Sequence, residues 1–450
     1  MIDFSDIDKY SWKYDLYNSY LRFNHNHVYY KEYRVMNQEN IPKEGVPTFI
    51  IGNHQNGLTD ALTLLYMFPD KRQPVFIARG DIFKNNIVAR LLHFLKILPS
   101  FRNRDGDRSD VRANSGVFNI AAHVLNRGGT LVMFPEASHQ AGHYVGDFKK
   151  GFPRIAFAAE ELADYKLGLQ IVPVNIHYSD YYNFRSKAIL TVGEPFPIDS
   201  LFELYQSEPN AAYLALNAMA REKIKTLTMD EDKEYFHEYD QLREILHRQR
   251  IINNGKNPDD LYEERLEDMK IVDELNQLKI DNNEHFTVLM ELAREYTKGL
   301  KKLNLKNWLI DRKVTLSQLL GKSFLLLLTF PFYLFGLINN FLPFYFSTFL
   351  KSKIKDRQLH SSMNFAPGVN LSFPLMYIII LILAWVISGR FWVALVYLLA
   401  AFLSLFIYYS YKKSFVKLKA SWRYYSLNKK KNPLLSRLTQ IKRKIIADGI

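Results

Sequence analysis

The chain contains 450 residues and no cysteine, and its 59 lysine and arginine residues against 46 aspartate and glutamate residues give a formal net charge of +13. This length allows a large core and more than one domain, and the lack of cysteine excludes disulfide bonds, thiolate metal sites and a cysteine nucleophile. Charged residues make up 23% of the chain and hydrophobic residues 48%, which is typical of a folded protein rather than a disordered one.

Residues 1–44 are rich in aromatic side chains between Tyr10 and Tyr33. This composition predicts a helical segment that packs on the following domain or lies at a membrane interface. Residues 1–6 show no basic stretch leading into an apolar one, so no signal peptide is expected there. The large polar part of the chain is therefore expected in the cytoplasm.

Between residues 45 and 200, short runs of β-branched and aromatic residues alternate with helical patterns. The predicted strands lie at 48–51, 75–78, 130–134, 169–174 and 188–192. The predicted helices lie at 58–67, 82–96, 111–125 and 151–162. This alternation predicts an α/β domain, and strands that are apolar on both faces indicate a central sheet with helices on both sides.

Residues 201–312 show a different pattern, with long charged helical stretches and no strand signal. A breaker at residues 253–258, Asn-Asn-Gly-Lys-Asn-Pro, separates two of these helices. The sequence predicts a helical region here and assigns no chemistry to it.

The next segment, residues 313–357, contains an apolar stretch at 323–350 with basic residues on both sides. Because basic flanks favour the cytoplasmic side, two such flanks are inconsistent with a single crossing. Two half-helices that turn at Asn339-Asn340 would form a re-entrant or interfacial hairpin, and one ordinary crossing that violates the charge rule is the alternative.

Residues 358–411 contain two further uncharged apolar runs, at 371–388 and 391–411, separated by Gly389-Arg390. Each run is long enough to cross a bilayer as a helix, so a transmembrane hairpin is predicted. Residues 412–450 then carry twelve basic residues and one acidic residue. The rest of the chain is therefore nearly neutral, and the basic excess predicts a cytoplasmic tail at an anionic membrane face rather than a nucleic-acid-binding surface.

The residues that suggest chemistry begin at the end of the first predicted strand. His54 and Asp60 lie in the segment Gly-Asn-His-Gln-Asn-Gly-Leu-Thr-Asp, residues 52–60. A histidine with a nearby carboxylate can form a base whose orientation and protonated form the carboxylate stabilises. On a continuous helix, six positions would rotate the acid away from the histidine. Residues 55–57 are therefore predicted to form a loop, with the extra residue accommodated at Gly57.

Three more blocks follow in order. They are Leu-Pro-Ser-Phe-Arg-Asn-Arg at 98–104, Phe-Pro-Glu at 134–136 with Phe-Lys-Lys-Gly at 148–151, and Ile-Val-Pro-Val at 171–174. Together with the histidine block they resemble the four motifs of the glycerolipid acyltransferase family, over about residues 45–195. The resemblance implies an acyltransferase-type sheet. Two departures are the five residues between His54 and Asp60, where four are commoner, and Ala-Ser-His at 137–139, where Gly-Thr-Arg is usual.

The resemblance implies that His54 is the general base and that Asp60 orients it. It also implies a set of substrate-binding residues, namely Arg102, Arg104, Glu136, Lys149, Lys150, Gly151 and Pro173. The cations of this set would hold an acceptor phosphate, with the two lysines replacing the basic group missing at residue 139. No metal and no cofactor are expected.

The predicted function is transfer of a fatty acyl group from acyl-CoA or acyl-acyl carrier protein to a glycerol-phosphate acceptor, in phospholipid biosynthesis at the inner (cytoplasmic) membrane. The preferred acceptor is 1-acyl-sn-glycerol-3-phosphate. Glycerol-3-phosphate itself is the alternative, because the longer spacing between His54 and Asp60 resembles that of some glycerol-3-phosphate acyltransferases. A non-catalytic membrane scaffold is the alternative from another class, and nucleic-acid binding by the tail ranks lowest.

Overall fold

The structure is a computed structural model that describes residues 3–100, 108–136, 143–354, 356 and 359–448, without the side chains of 108–115. The chain divides into two compact units. The first comprises Met1–Asp230 together with Asp356–Ser362, and the second comprises Glu231–Lys355 together with Met363–Ile450.

The first unit is built around a seven-stranded sheet. Its strands are β1 (Glu32–Met36), β2 (Thr48–Gly52), β3 (Val75–Arg79), β4 (Ile97–Ser100), β5 (Thr130–Met133), β6 (Gln170–Tyr178) and β7 (Lys187–Val192). They lie in the order β1-β7-β6-β2-β5-β3-β4. Every neighbouring pair is parallel except β6 and β7. This arrangement confirms the predicted α/β class.

Among the described residues that precede Asp230, seven α-helices accompany the sheet. They are α1 (Trp12–Phe23), α2 (Leu58–Leu65), α3 (Asn86–Phe94), α4 (Arg108–Asn126), α5 (Gly151–Leu162), α6 (Phe202–Ser207) and α7 (Pro209–Lys225). Central strand β2 is fully buried because helices cover the sheet, and the ring of Phe49 packs edge-on against Phe152 of α5 at 5.2 Å between centroids. The core is apolar on both faces of the strand, as expected for a parallel sheet.

All five predicted strands are present, and the sequence reading missed β1 and β4. Strand β1 lies at the sheet edge and is only half-buried, so its charged residues concealed it. It begins at Glu32, so the sheet starts before the predicted boundary at residue 45. The predicted helix 82–96 was too long, because Lys96 adopts the left-handed conformation at φ 59° and β4 follows directly.

Among the described residues of the second unit, every secondary-structure element is a helix. This agrees with the helical pattern predicted for residues 201–312, most of which lie in this unit. Its helices are α8 (Phe236–Asn253), α9 (Leu261–Asp281), α10 (Asn283–Leu303), α11 (Leu316–Ser352), α12 (His360–Met363, shared with the first unit), α13 (Phe373–Ser388), α14 (Phe391–Lys429) and α15 (Pro433–Asp448). Helices 316–352, 360–388 and 391–429 are long and apolar enough to cross a membrane. Much of their apolar surface is exposed, as a lipid-facing surface requires.

The predicted turn at Asn339-Asn340 is wrong, because α11 continues through both residues as one helix of 37 residues. The side-chain amides donate to carbonyl oxygens one turn earlier, at 2.8 Å each. Tyr397 and Tyr377 donate their hydroxyls to the amide oxygens of Asn339 and Asn340, at 3.1 and 2.8 Å. These contacts satisfy the polar groups inside a helix bundle, so no turn is needed. The side of the membrane that each end occupies stays a prediction.

The basic C-terminal segment is a packed part of the second unit. Helix α14 continues past Tyr411 to Lys429, and α15 follows after a short turn. Leu438 of α15 packs so closely on Gly299 that a Cβ there would lie 2.5 Å from it. Arg437 of α15 binds Glu295 of α10 at 2.8 Å. The predicted binding of this segment to anionic headgroups stays a prediction.

Candidate active site

The candidate site lies at the edge of the sheet where parallel strands β2 and β5 end. His54 follows β2 by two residues, and Phe134 directly follows β5. Carboxyl ends of neighbouring parallel strands meet at one edge of a sheet, where open α/β sheets place their ligands. The histidine block and the glutamate block are thereby brought together, as their order in the sequence predicted.

The turn after β2 is fixed before His54. A Cβ at Gly52 would lie 2.9 Å from a methyl group of Val174 on β6, so only glycine fits there without displacing its neighbour. The buried side chain of Asn53 then accepts a hydrogen bond from the Ile176 amide at 2.8 Å and donates to the Ile176 carbonyl at 3.1 Å. These bonds hold the backbone that carries His54.

Residues 55–57 form the predicted loop, and α2 begins at Leu58. Gly57 has φ 56° and ψ −129°, a conformation that glycine adopts readily and other residues do not. The chain turns here before the helix starts. The longer spacing between His54 and Asp60 is therefore accommodated where the sequence predicted it.

Asp60 is fully buried and accepts four hydrogen bonds. Its Oδ2 accepts from the backbone amides of Gln55 and Asn56 at 2.8 and 2.6 Å, and from His54 Nδ1 at 2.9 Å. Its Oδ1 accepts from the Tyr178 hydroxyl at 2.7 Å. These four donors fix the carboxylate in one orientation, with Oδ2 facing His54.

His54 is oriented by both of its neighbours. Because the Asp60 carboxylate is an acceptor, Nδ1 carries the proton of the neutral ring and Nε2 is the basic nitrogen. The imidazole stacks on the Phe134 ring at 4.2 Å between centroids and 12° between planes. Its side chain is 16% exposed while that of Asp60 is 1% exposed. The pair can therefore take a proton from a group that reaches His54 and stabilise the resulting imidazolium.

A buried polar chain extends behind Asp60. The Tyr178 hydroxyl lies 3.3 Å from Thr63 Oγ1, which lies 3.2 Å from His25 Nε2. Burial and the charge of Asp60 raise the pKa of Tyr178 well above its ordinary value, so the hydroxyl stays a donor. Burial lowers the pKa of His25 to about 3, so this histidine is neutral at physiological pH.

Two serines about 300 residues further along the chain contact the same loop. Ser361 Oγ donates to the Asn56 side-chain oxygen at 2.5 Å and lies 3.1 Å from Thr59 Oγ1. The Leu58 amide donates to Ser362 Oγ at 3.0 Å. Both serines are buried. The segment after the first candidate membrane helix therefore supports the loop between His54 and Asp60.

Of the other predicted site residues, Glu136 and Lys149 lie at the glutamate block, whereas Lys150 contacts a different helix. Glu136 is buried, two residues beyond the stacked Phe134. Lys149 is exposed and its amide donates to the Pro135 carbonyl at 2.9 Å, so it lies next to the glutamate block. The Lys150 ammonium instead reaches Asn210 on α7, at 3.4 Å. Gly151 is the first residue of α5.

Pro173 is buried within β6, opposite Ile51 in the sheet, and its substrate-binding role stays a prediction. Its ring packs against Gly193, where a Cβ would lie 2.8 Å away. Arg102 and Arg104 lie outside the described residues, as do residues 137–139. Their phosphate-binding roles stay predictions.

Sequence reasoning missed Tyr178, Asn53 and the two serines. Tyr178 ends β6, and Asn53 directly precedes the histidine, so both stand beside recognised motifs. Their roles depend on hydrogen bonds between residues that lie 118 and 123 positions apart in the chain. The serines carry no sequence signal of this role, because they lie in a short link between apolar segments.

Within the described residues, one group of side chains has the geometry to hold a metal ion, and it consists of His247, Glu264 and Asp268 in the second unit. The Arg243 guanidinium donates to Asp268 at 2.8 Å, and His247 Nδ1 lies 2.9 Å from the same carboxylate. Both oxygens of the buried Asp268 carboxylate therefore already have protein partners, while His247 and Glu264 are half-buried.

Comparison with known proteins agrees with this geometry. A family model described as Acyltransferase matches residues 32–177. A chloroplastic 1-acyl-sn-glycerol-3-phosphate acyltransferase of Arabidopsis thaliana is 26% identical over 138 residues, covering 31% of this chain and 34% of that protein. Its counterpart in Brassica napus is 25% identical over 138 residues, covering 31% and 35%. The match therefore spans about a third of each plant relative.

A glycerol-3-phosphate O-acyltransferase of Saccharomyces cerevisiae is 30% identical over 97 residues, covering 21% of this chain and 13% of that protein. The crystal structure of a 1-acyl-sn-glycerophosphate acyltransferase from Thermotoga maritima aligns with a TM-score of 0.32 and 21% identity, covering 47% of this chain and 78% of that one. The family match includes the histidine block, the glutamate block and β6, all of which meet at one edge of the sheet. Residues 32–177 of this chain are therefore similar to an acyltransferase domain, and this similarity covers about a third of the chain.

Proposed function

We propose that this protein transfers a fatty acyl group from an acyl thioester to a hydroxyl group of a glycerol-phosphate acceptor. The observation that carries the proposal is the contact of 2.9 Å between His54 Nδ1 and the buried Asp60 carboxylate, inside the family-matched domain. A chain without cysteine has no thiol nucleophile, and direct attack by the acceptor hydroxyl requires none. The donor is acyl-CoA or acyl-acyl carrier protein.

In the proposed reaction, His54 Nε2 takes the proton of the acceptor hydroxyl while the oxygen attacks the thioester carbonyl carbon. Asp60 stabilises the imidazolium that forms. The tetrahedral intermediate then collapses, the carbon–sulfur bond breaks, and the thiolate leaves with the proton returned by His54. The products are an ester and a free thiol, so atoms and charges balance without a metal or a cofactor.

The acceptor phosphate requires cationic partners near His54. Lys149 is the described cation of the predicted set that lies next to the glutamate block, since its amide binds Pro135. We therefore assign the phosphate to Lys149 together with Arg102 and Arg104, with Glu136 orienting the acceptor or one of these cations. We assign Lys150 a smaller role in phosphate binding, because its ammonium contacts Asn210 on α7.

The preferred acceptor is 1-acyl-sn-glycerol-3-phosphate, in agreement with the names of the two plant relatives and with a membrane-embedded enzyme. The name of the yeast relative keeps glycerol-3-phosphate as the alternative. We place the protein in the inner (cytoplasmic) membrane with the site on the cytoplasmic side. A non-catalytic scaffold would not require a buried carboxylate that accepts four hydrogen bonds, one of them from His54.

The test is acyl transfer by the purified full chain with two donors and two acceptors. Because the protein lacks cysteine, a thiol reagent reports only the thiol that the donor releases. We expect His54→Ala to lower kcat by roughly 10²–10⁴-fold, and His123→Ala, which changes an exposed histidine on α4, to leave it unchanged. Near wild-type activity in the His54 variant would refute the proposal. The ratio of kcat/KM for 1-acyl-sn-glycerol-3-phosphate to kcat/KM for glycerol-3-phosphate would identify the acceptor.

A further inference from the structure

The second unit contains an open cavity of about 1560 Å³ that is lined by α8, the segment between α10 and α11, α11, α14 and α15. Its volume exceeds the roughly 300–1,000 Å³ of ordinary small-molecule sites, so it can hold an elongated ligand. None of its lining residues belongs to the candidate active site.

One end of the cavity carries positive charge. The residues responsible are Arg312, Lys313, Lys322 and Lys417. Arg312 and Lys417 lie over the same Trp308 ring, with the guanidinium carbon 5.5 Å and the ammonium 6.0 Å from the ring centroid. Two like charges that share one aromatic ring repel each other, and an anion between them would relieve this repulsion.

The acidic residues around this end do not neutralise these cations. Asp311 binds Arg443 at 3.0 Å, and Asp259 binds Arg248 at 2.9 Å. In the described part of the chain, no carboxylate lies within 4.0 Å of the nitrogens of Arg312, Lys313, Lys322 or Lys417 (the remaining lining cation, Lys442, donates to backbone carbonyls).

The other end of the cavity is apolar and belongs to two candidate membrane helices. Leu325 and Leu326 of α11 and Phe406 and Ile407 of α14 line it. The Trp422 indole donates to Ser323 Oγ at 3.2 Å, so the start of α11 lies beside the later part of α14.

The charged end therefore lies where the apolar stretches of both helices stop. On α11 the uncharged stretch begins after Lys322, and on α14 it ends before Lys412. Cations beside a tryptophan at this position are typical of the headgroup level of a bilayer. The polar and apolar ends of the cavity thus match the two parts of a membrane lipid.

We propose that this cavity binds one anionic glycerophospholipid, with its phosphate between Arg312, Lys322 and Lys417 and an acyl chain along Leu325, Leu326 and Phe406. The site is a second lipid site of the protein, separate from the residues of the acyl transfer reaction. It recognises the headgroup by charge and the chain by apolar contact.

The test uses the full chain purified in a neutral detergent, with dioleoylphosphatidylglycerol and dioleoylphosphatidylcholine as the two lipid probes. Native mass spectrometry counts the lipids retained at each concentration. We expect one tight site with about tenfold preference for the anionic lipid, and a loss of about tenfold in that affinity in the double variant Lys322→Gln, Lys417→Gln. The matched control is Lys419→Gln with Lys429→Gln, which removes two charges from α14 outside the cavity and should leave the affinity unchanged.

A second measurement locates the lipid. Phosphatidylglycerol that carries a nitroxide quencher on its headgroup should quench part of the tryptophan fluorescence, and Trp308→Phe should remove that saturable part, because Trp308 lies beside the cations Arg312 and Lys417. Inorganic phosphate should fail to displace the lipid at concentrations that saturate a simple anion site. Equal affinity for both lipids, equal losses in the two double variants, or displacement by phosphate alone would overturn the proposal.

Discussion

Replacing Asp60 by asparagine separates the charge of this side chain from its hydrogen bonds. The amides of Gln55 and Asn56 require an acceptor at the position of Oδ2, so the asparagine oxygen should occupy it and the nitrogen should face Tyr178. His54 Nδ1 would still find an acceptor, and the Tyr178 hydroxyl can accept instead of donating. The variant should therefore keep the orientation of the imidazole and lose only the negative charge.

The expected loss of kcat in Asp60→Asn follows from the ion pair that forms when His54 takes a proton. With Nδ1 and Oδ2 in contact at 2.9 Å, the charge centres lie about 4 Å apart, which gives about 4 kcal/mol at an effective dielectric constant of about 20. Solvent screens this pair weakly, because Asp60 is fully buried and the His54 side chain is only 16% exposed. A loss of this size corresponds to a decrease in kcat of about 10³-fold.

The assay is thiol release with saturating donor and acceptor, with kcat and KM determined separately. We expect Asp60→Asn to lower kcat while KM and the melting temperature stay close to those of the wild type, because the asparagine replaces each hydrogen bond. Asp60→Ala, which leaves two buried amides without an acceptor, should also lower the melting temperature. A kcat for Asp60→Asn within about tenfold of the wild-type value would refute the electrostatic role of this carboxylate.

Further predictions concern the groups behind the loop. Tyr178→Phe removes one of four donors to Asp60 and should lower the free energy of unfolding by about 1.5–3 kcal/mol, with a smaller loss of kcat than Asp60→Asn, as measured by thermal unfolding and thiol release. Ser361→Val removes the bond to Asn56 and should lower kcat by about tenfold while the protein still fractionates with membranes. His25 has a pKa lowered to about 3 by burial, so only the unfolded chain binds its proton below pH 6.5. Stability should fall by about 2 kcal/mol between pH 7 and pH 5, and His25→Gln should reduce that fall in a pH series of melting temperatures.

The elements with strong local signals were predictable from the sequence. Strands β2, β3, β5, β6 and β7 are continuous apolar runs in a buried sheet, and the periodicity of α5 predicted both of its ends. The loop at residues 55–57 was predictable because helix geometry forbids a contact over six positions. In each case the local sequence pattern was sufficient to predict the element.

The features that depend on distant residues were not predictable in this way. Asn339 and Asn340 have the composition of a turn, yet Tyr397 and Tyr377 satisfy their side chains from other helices. Strand β1 is half-buried at the sheet edge and contains the charged residues Glu32 and Arg34, so its pairing with β7 is needed to identify it. Hydrogen bonds to distant residues determine the structure of α11 at Asn339-Asn340 and of β1, and local propensity does not report such bonds.

The same distinction explains how the candidate site tolerates its unusual spacing. An extra residue between a base and its carboxylate would ordinarily leave the turn free to adopt several conformations. Here Asn53 fixes the turn to β6 before the histidine, Gly57 provides the backbone conformation that ends it, and Ser361 holds Asn56 from the far part of the chain. Since two of these supports come from other segments, β6 and the region of Ser361, the position of His54 depends on long-range contacts within the folded first unit. The motif residues alone therefore specify the chemistry, and the surrounding fold specifies the geometry in which it can occur.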